Sequence, residues 1–377
     1  MLFRQLSIIT LLIISINIFG QNQNGSDKYY KRLEGKIGDN INVTANLVRL
    51  FDNVSGNYVY YYLEGENDMY YGKTVELVGI AENNDSVLLR EFGSKDFTFK
   101  GLIRDGQYDG EWNHNDSKAL NFNMKEYYPN GSLPFEVYYL SSETPLDKKE
   151  KDSPTARIEL ALIFPSSEYF QPDIIDSVDN IILDSYFGKG FVLREPQQML
   201  EDFETEYFTN YLEQAKNRSQ SSPKNNFNYE KQVNMSIIFN SNYLLCIEYL
   251  RYAYAGGSHG MSNLSYDIIN LDKGTKLSYE DVFDNASDSL LSVLLTKQLR
   301  HNYKIPEEVS LKEAGFFVET VKPNKNLFIS GEGVGFVYNS YEIAPYSRGA
   351  TTILLNYEKL ENLIKVGSPI YKLSKHQ

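Results

Sequence analysis

Phe97-Thr98-Phe99-Lys100-Gly101-Leu102-Ile103-Arg104-Asp105-Gly106-Gln107-Tyr108-Asp109-Gly110-Glu111-Trp112-Asn113 sets the reading of the N-terminal third of the chain. Two short runs rich in aromatic and aliphatic residues flank Asp105-Gly106. A two-residue hairpin turn needs positive φ, which Gly accepts freely and Asp tolerates, so the stretch reads as a β-hairpin. Working outward, similar runs recur at Lys73 to Glu82, Ser86 to Phe92, Ala119 to Tyr128 and Pro134 to Leu140, with Tyr58 to Leu63 upstream. Polar clusters such as Asn83-Asn84-Asp85 and Pro129-Asn130-Gly131-Ser132 separate them. Regular short runs between turn signals predict an antiparallel meander, closed as a small sandwich or barrel.

Composition supports a folded, β-rich chain. Of 377 residues, 42% are hydrophobic, and 30 Tyr and 21 Phe supply most of the aromatic content. Such rings suit half-buried pleated surfaces. The net charge of −13 repels a polyanion at long range, which argues against nucleic acid as a partner. At the N-terminus Arg4 precedes an apolar run from Leu6 to Phe19, then Gly20 and the polar Gln21-Asn22-Gln23-Asn24. This order predicts a secretory signal peptide over residues 1–20, and the run is shorter than the roughly 20 residues of a spanning helix. The expected location is therefore outside the cytoplasm, periplasmic or extracellular, with no transmembrane segment after signal removal. Cys246 is the single thiol, so no intrachain disulfide forms, and inside an apolar strand it reads as a small buried hydrophobe.

Past the meander, Glu143 to Ala156 holds Pro145, Pro154 and many charges but few large apolar groups. It is expected to be a linker (143–156) between an all-β domain (21–142) and a second domain (157–370). In that second domain Met199, Leu200, Phe203, Tyr207, Phe208, Tyr211 and Leu212 recur at three and four residues after Pro196, as do Leu290, Leu291, Leu294, Leu295 and Leu299. Both stripes predict amphipathic helices. A short third helix is expected from Tyr357 to Ile364. Strands are expected at Arg157 to Phe164, Val233 to Phe239, Tyr243 to Tyr254, Leu264 to Leu271, Phe316 to Val321, Leu327 to Ser330 and Thr351 to Leu355. The fold class is α+β, with helices packed on an antiparallel sheet.

Catalytic constellations are sparse. His114, His259, His301 and His376 are scattered, and no pair has the spacing of two ligands on one helical turn, so no metal or other cofactor is implied. Gly256-Gly257-Ser258-His259-Gly260 fits the G-x-S-x-G elbow of serine hydrolases, with Ser258 as the alternative nucleophile. That elbow leads from a strand into a helix, whereas Leu264, Tyr266 and Ile268 alternate as in a strand, so a Gly-rich hairpin turn is the preferred reading. The Y-x-G-x-W core at Tyr108 to Trp112 resembles one unit of the MORN hairpin repeats, but it occurs once, and those hairpins act in arrays.

Two blocks carry a resemblance. The first is Tyr252-Ala253-Tyr254-Ala255-Gly256-Gly257-Ser258-His259-Gly260, followed by Leu277-Ser278-Tyr279-Glu280-Asp281-Val282-Phe283. The second is Phe336-Val337-Tyr338-Asn339-Ser340-Tyr341-Glu342-Ile343-Ala344-Pro345-Tyr346-Ser347-Arg348-Gly349. In order and spacing they resemble the extracytoplasmic domain shared by the anti-sigma factor RsiV and the peptidoglycan deacetylase PdaC. With the companion region from Arg157 the resemblance spans roughly residues 157–365. It implies an extracytoplasmic α+β domain and, from the anti-sigma factors, a capacity to bind lysozyme. The sigma-binding segment and membrane helix of those factors, and the His-liganded deacetylase domain of PdaC-like enzymes, have no counterpart in these residues.

The residue chemistry of both blocks suits recognition. A Gly-Gly turn lets another backbone approach closely, and Tyr and Pro offer rigid amphipathic area. The leading expectation is an exported, non-enzymatic binding protein of the bacterial cell envelope whose partner is a lysozyme-like basic protein or peptidoglycan. Its expected binding residues are Tyr252, Tyr254, Gly256, Gly257, His259, Tyr341, Glu342, Pro345 and Tyr346. The alternatives are a serine hydrolase using Ser258 and a structural envelope component without a soluble ligand.

Overall fold

The computed structural model describes residues 27–64, 68–82, 85–94, 96–114, 118–166, 170–216 and 227–374. The expected signal peptide and His376 lie outside them. Eight strands come first: β1 (Lys28–Ile37), β2 (Ile41–Leu50), β3 (Asn53–Glu64), β4 (Asp68–Ala81), β5 (Ser86–Glu91), β6 (Phe97–Arg104), β7 (Gln107–His114) and β8 (Leu120–Glu126). Each pairs antiparallel with the next, and β8 returns to β1, so the meander closes as a barrel. Asp105 and Gly106 form the β6–β7 turn with φ of 50° and 72°, as their residue types require. Leu33, Leu47, Tyr58, Val87, Phe99, Tyr108 and Trp112 fill the interior. The two aromatics of the Y-x-G-x-W motif are thus core residues. Gly101 lies opposite Gly110, where a Cβ on Gly110 would stand 2.5 Å from the Gly101 Cα, so the glycine pair lets β6 and β7 cross closely.

The second module holds a six-stranded sheet built from β9 (Phe135–Pro145), β10 (Thr155–Pro165), β11 (Tyr229–Ser241), β12 (Leu244–Ala255), β13 (Met261–Asn270) and β14 (Thr275–Lys276). Its order is β14-β13-β12-β11-β10-β9. All pairs are antiparallel except β10–β11, which are parallel, so the sheet is mixed rather than purely antiparallel. The connection between that parallel pair contains α1 (Pro172–Tyr186) and α2 (Pro196–Lys216). Ile175, Val178 and Ile182 of α1 and Met199, Leu200 and Phe203 of α2 pack on one sheet face with Leu160, Val233 and Tyr249.

The opposite face meets a three-stranded antiparallel sheet of β15 (Leu327–Ile329), β16 (Gly333–Tyr338) and β17 (Thr351–Asn356). Here Cys246 and Ile268 pack with Phe336, Leu355 and the leucines of a long helix. The helices of this layer are α3 (Tyr279–Val282), α4 (Asp288–Tyr303), α5 (Tyr357–Leu360) and α6 (Tyr371–Ser374). Ser278 caps α3 reciprocally with Asp281, which sets Tyr279, Val282 and Phe283 into the core. Among the described residues no helix is long and apolar enough to cross a membrane.

Three expectations change. The stretch 143–156, expected to be a linker, is the end of β9, a turn and the start of β10, whose register runs from Pro145↔Thr155 to Phe135↔Pro165. Its charges mark an exposed hairpin turn, and the chain passes from barrel to sheet earlier, between Glu126 and Phe135. Phe316 to Val321 is irregular and not a strand: the Phe317 amide donates to Ile343 O and the Val321 amide to Thr296 Oγ1, so tertiary bonds replace a ladder. The helix expected over Tyr357 to Ile364 stops at Leu360, after which Ile364 forms a bridge with Phe283.

Barrel and sheet are joined by buried polar groups. Arg32 is 1% exposed; its Nε donates to Asn240 O (3.0 Å), its Nη1 to Tyr127 O (2.7 Å) and its Nη2 to Ser241 Oγ (3.3 Å). Asn57 Nδ2 donates to Ile237 O (2.8 Å), and the Tyr71 hydroxyl donates to Ser241 Oγ (2.8 Å). Arg32, Asn57 and Tyr71 thus each donate from the barrel to a partner on β11.

Candidate functional site

The glycine-rich motif is the hairpin turn between β12 and β13. Gly256 and Gly257 take φ of 81° and 105°, a region that L side chains rarely adopt. The Tyr254 hydroxyl donates to Gly257 O at 3.0 Å and steadies the turn. Gly260 is tight against Tyr252: a Cβ there would lie 2.3 Å from the Tyr252 hydroxyl oxygen.

The second block is the loop that leaves β16. Asn339 fastens it to β13, because its Oδ1 accepts the Leu264 amide (2.8 Å) and its Nδ2 donates to Leu264 O (3.0 Å). Asn326 Nδ2 also donates to Leu264 O (2.9 Å). These side chains satisfy backbone groups on a strand edge that, among the described residues, no further strand covers at this point. The loop then tightens, with the Glu342 amide donating to Asn339 O and the Tyr341 amide to Ala344 O, both at 3.0 Å. Ile343 and Ala344 are buried, while Tyr341, at φ 72°, stays 50% exposed. Pro345 leads into a 3-10 turn, Tyr346–Arg348.

Hairpin and loop meet through Tyr346. Its hydroxyl donates to Gly260 O (2.9 Å), and its ring stacks on His259 with centroids 4.0 Å apart and planes 21° apart. Tyr341 also stacks with Tyr346, at 5.8 Å between centroids and 29° between planes. Tyr252 is a neighbour too: burial first, then Glu230, Tyr346 and Tyr254, raise its phenol above the usual tyrosine range. Below the loop Arg348 Nη2 donates to Ala314 O (2.6 Å), and its guanidinium lies 4.5 Å from the Phe316 centroid and 5.3 Å from that of Tyr303.

Of the residues expected from sequence, Tyr252, Tyr254, Gly256, Gly257, His259, Tyr341, Pro345 and Tyr346 therefore converge at one end of the β12–β13 hairpin. Glu342 is exposed on the same loop, and burial first, then the Glu342 charge, raises the Tyr338 hydroxyl above the usual tyrosine range. The sequence reading missed Asn339, Asn326 and Arg348 as the anchors of the loop. Asn339 and Arg348 stood inside the second block, but nothing local distinguishes an anchoring amide from a solvated one.

Ser258 is exposed in the turn, and the chain continues into β13, not into a helix. His259 Nδ1 lies 3.1 Å from Gly260 O while its ring is stacked, and His301 sits in the last turn of α4. Among the described residues no hydrogen bond joins Ser258 to an imidazole.

Comparison with known proteins falls on this same junction. A family model described as deacetylase PdaC matches residues 155–262, and one described as a protein of unknown function, DUF3298, matches residues 280–358. The Gly256–Gly260 turn lies in the first match and the Tyr341–Tyr346 loop in the second. The chain is 24% identical over 235 residues to the peptidoglycan-N-acetylmuramic acid deacetylase PdaC of Bacillus subtilis. That match covers 61% of this chain and 47% of the relative, so the chain spans about half the length of the curated relative it matches. A crystal structure of a DUF3298 member from Bacteroides fragilis matches with a TM-score of 0.59 at 22% identity, covering 66% of this chain and 100% of the other. That likeness is one of fold. The chain carries a PdaC/DUF3298-type family domain, as the two sequence blocks implied.

Proposed function

We propose that this chain is an exported, non-enzymatic binding protein of the bacterial cell envelope, acting in the periplasm or outside the cell. Its binding face is the ring stack of His259, Tyr346 and Tyr341 with the Gly256-Gly257 turn beside it. The observation that carries this reading is the rigid presentation of those rings: one hydroxyl bond, two stacks and the Asn339 anchor fix them before any partner arrives. Pre-ordered aromatic area lowers the entropic cost of association.

The partner we propose is a lysozyme-like basic protein or a cell-wall glycan. A net charge of −13 favours encounter with a basic protein. The glycan is supported by the curated relative, whose name places its action on peptidoglycan. Calorimetric titration of the chain with a hen-type lysozyme and with soluble peptidoglycan fragments tests the proposal. Saturable heat with either supports it, and no heat with both removes it.

A further inference from the structure

A cleft of about 1320 Å³ lies along the junction of barrel and sheet. Its walls are the β6–β7 turn at Asp105, the connector between β8 and β9, and the β11–β12 and β13–β14 turns at Tyr243 and Asp272. Tyr243 precedes β12 and the Gly256-Gly257 turn follows it, so this cleft and the ring face sit at opposite ends of that strand. The connector is fixed in place. The Tyr127 amide donates to Arg32 O (3.0 Å), the Leu133 amide to Asn240 Oδ1 (2.9 Å) and the Tyr243 amide to Gly131 O (2.9 Å).

Two large rings line this recess with open surface. Asn242 and Tyr243 turn the chain at φ of 54° and 60°, a conformation rare for a bulky residue. A Cβ on Gly131 would stand 2.5 Å from Tyr243 N and 2.7 Å from its ring, so glycine there lets the tyrosine sit against the connector. The Tyr243 ring is still 44% exposed, and Tyr127 on the connector is 54% exposed.

The charge around those rings is negative. Four of the five charged residues that line the cleft are acids. Lys31 neutralises one of them, Glu126, at 2.5 Å. Arg104, beside Asp105, turns instead to Asp85 (2.8 Å), and Glu136 accepts the Tyr138 hydroxyl (2.6 Å). Among the described residues Asp105, Glu136 and Asp272 have no ion-pair partner, so against Lys125 they leave two negative charges. The N-terminus of α1 also borders the cleft, and Asp173 in its first turn offsets the positive end of the helix dipole.

We infer that this cleft binds an extended peptide segment that carries two basic side chains. The faces of Tyr127 and Tyr243 receive aliphatic stems and cationic heads, and Asp105, Glu136 and Asp272 supply the counter-charge. Two surplus negative charges match two cations. The volume exceeds the roughly 300–1,000 Å³ of small-molecule sites, so a chain segment fills what a lone amine would leave to water. The inference uses no residue of the ring face and does not rest on that reading.

The test is calorimetric titration of the full chain with capped pentapeptides that carry lysine, arginine or glutamate at two alternate positions, and with spermidine as a small amine. Both basic peptides are expected to bind at least tenfold tighter than the glutamate peptide and spermidine, and added salt to narrow the margin over glutamate. Tyr243→Gly removes the ring and suits the positive φ, so the chain is expected to fold and to bind the basic peptides severalfold more weakly. Glu136→Gln combined with Asp272→Asn cancels the surplus charge and is expected to erase the preference over glutamate. Equal binding of basic and acidic peptides, no binding of either, spermidine as tight as the peptides, or undiminished affinity in a folded Tyr243→Gly chain would each overturn the inference. The lysozyme and peptidoglycan titrations decide the ring-face proposal on their own.

Discussion

His259 lies flat on Tyr346, ring centroids 4.0 Å apart, so the β12–β13 hairpin and the loop after β16 form one surface although 87 residues separate the two rings in sequence. The Tyr346 hydroxyl bond to Gly260 O adds a second link between the same pieces. Tyr346→Phe is expected to keep the stack and lose about 0.5–1.5 kcal/mol of stability, the net worth of one hydrogen bond. Tyr346→Ala is expected to weaken partner binding by at least about 1 kcal/mol if the ring is an anchor. Denaturant melts of both variants, with calorimetry of the second, check the pair of outcomes.

The two glycines of the turn should respond differently. A Cβ on Gly257 meets nothing within 4 Å, so Gly257→Ala suffers only from its positive φ, about 1–2 kcal/mol. At Gly260 an added Cβ falls 2.3–2.5 Å from Tyr252 ring and hydroxyl atoms, so Gly260→Ala must displace that ring. Ring-proton chemical shifts of Tyr252 and Tyr346 should move in Gly260→Ala and stay put in Gly257→Ala.

A buried carboxylate makes stability fall with rising pH. Burial raises Glu248 to about 7, the Tyr266 hydroxyl at 2.5 Å opposing that rise, and burial followed by the Glu248 charge raises Glu76 on the barrel to about 7. A carboxyl raised in the folded state stabilises below its unfolded value of about 4.5, and that contribution is lost as pH climbs toward about 7. Glu248→Gln keeps an acceptor for Tyr266 but cannot ionise. Its melting temperature should gain on wild type between about pH 5 and pH 8, a gap that thermal scans at several pH values would reveal.

Proteolysis should nick the exposed turn between β9 and β10, at Lys148, Lys149 or Lys151. Because β9 and β10 remain paired from Pro145↔Thr155 to Phe135↔Pro165, and Arg32 ties the barrel to Asn240 and Ser241, the pieces should elute together. They should part only in denaturant. Native separation of the two pieces would contradict the docked arrangement.

Much of the fold was legible where one face of a strand is wet. From β5 to β8 polar residues alternate with core residues, and Asp105-Gly106 marks its turn. β1 and β2 were not legible, because their outer faces are covered as well: Thr44 and Asn46 are buried alongside Val43, Ala45 and Leu47, and Arg32 lies in the junction with the sheet. Alternation vanishes when both faces are buried. The α1 helix did carry its signal, with Pro172 in the first turn and Ile175, Val178 and Ile182 facing inward, but buried Asp179 interrupts the apolar stripe. The site residues stood out as two motifs, yet their convergence depends on Asn339 reaching Leu264, a contact with no local trace.

The most direct test of the binding face is amide hydrogen exchange of the chain alone and with a hen-type lysozyme or soluble peptidoglycan fragments. One of these ligands is predicted to slow exchange in residues 254–262 and 339–349 and to leave β5 to β7 of the barrel unchanged. Protection confined to the barrel, or no change in either segment with both ligands, would contradict the account.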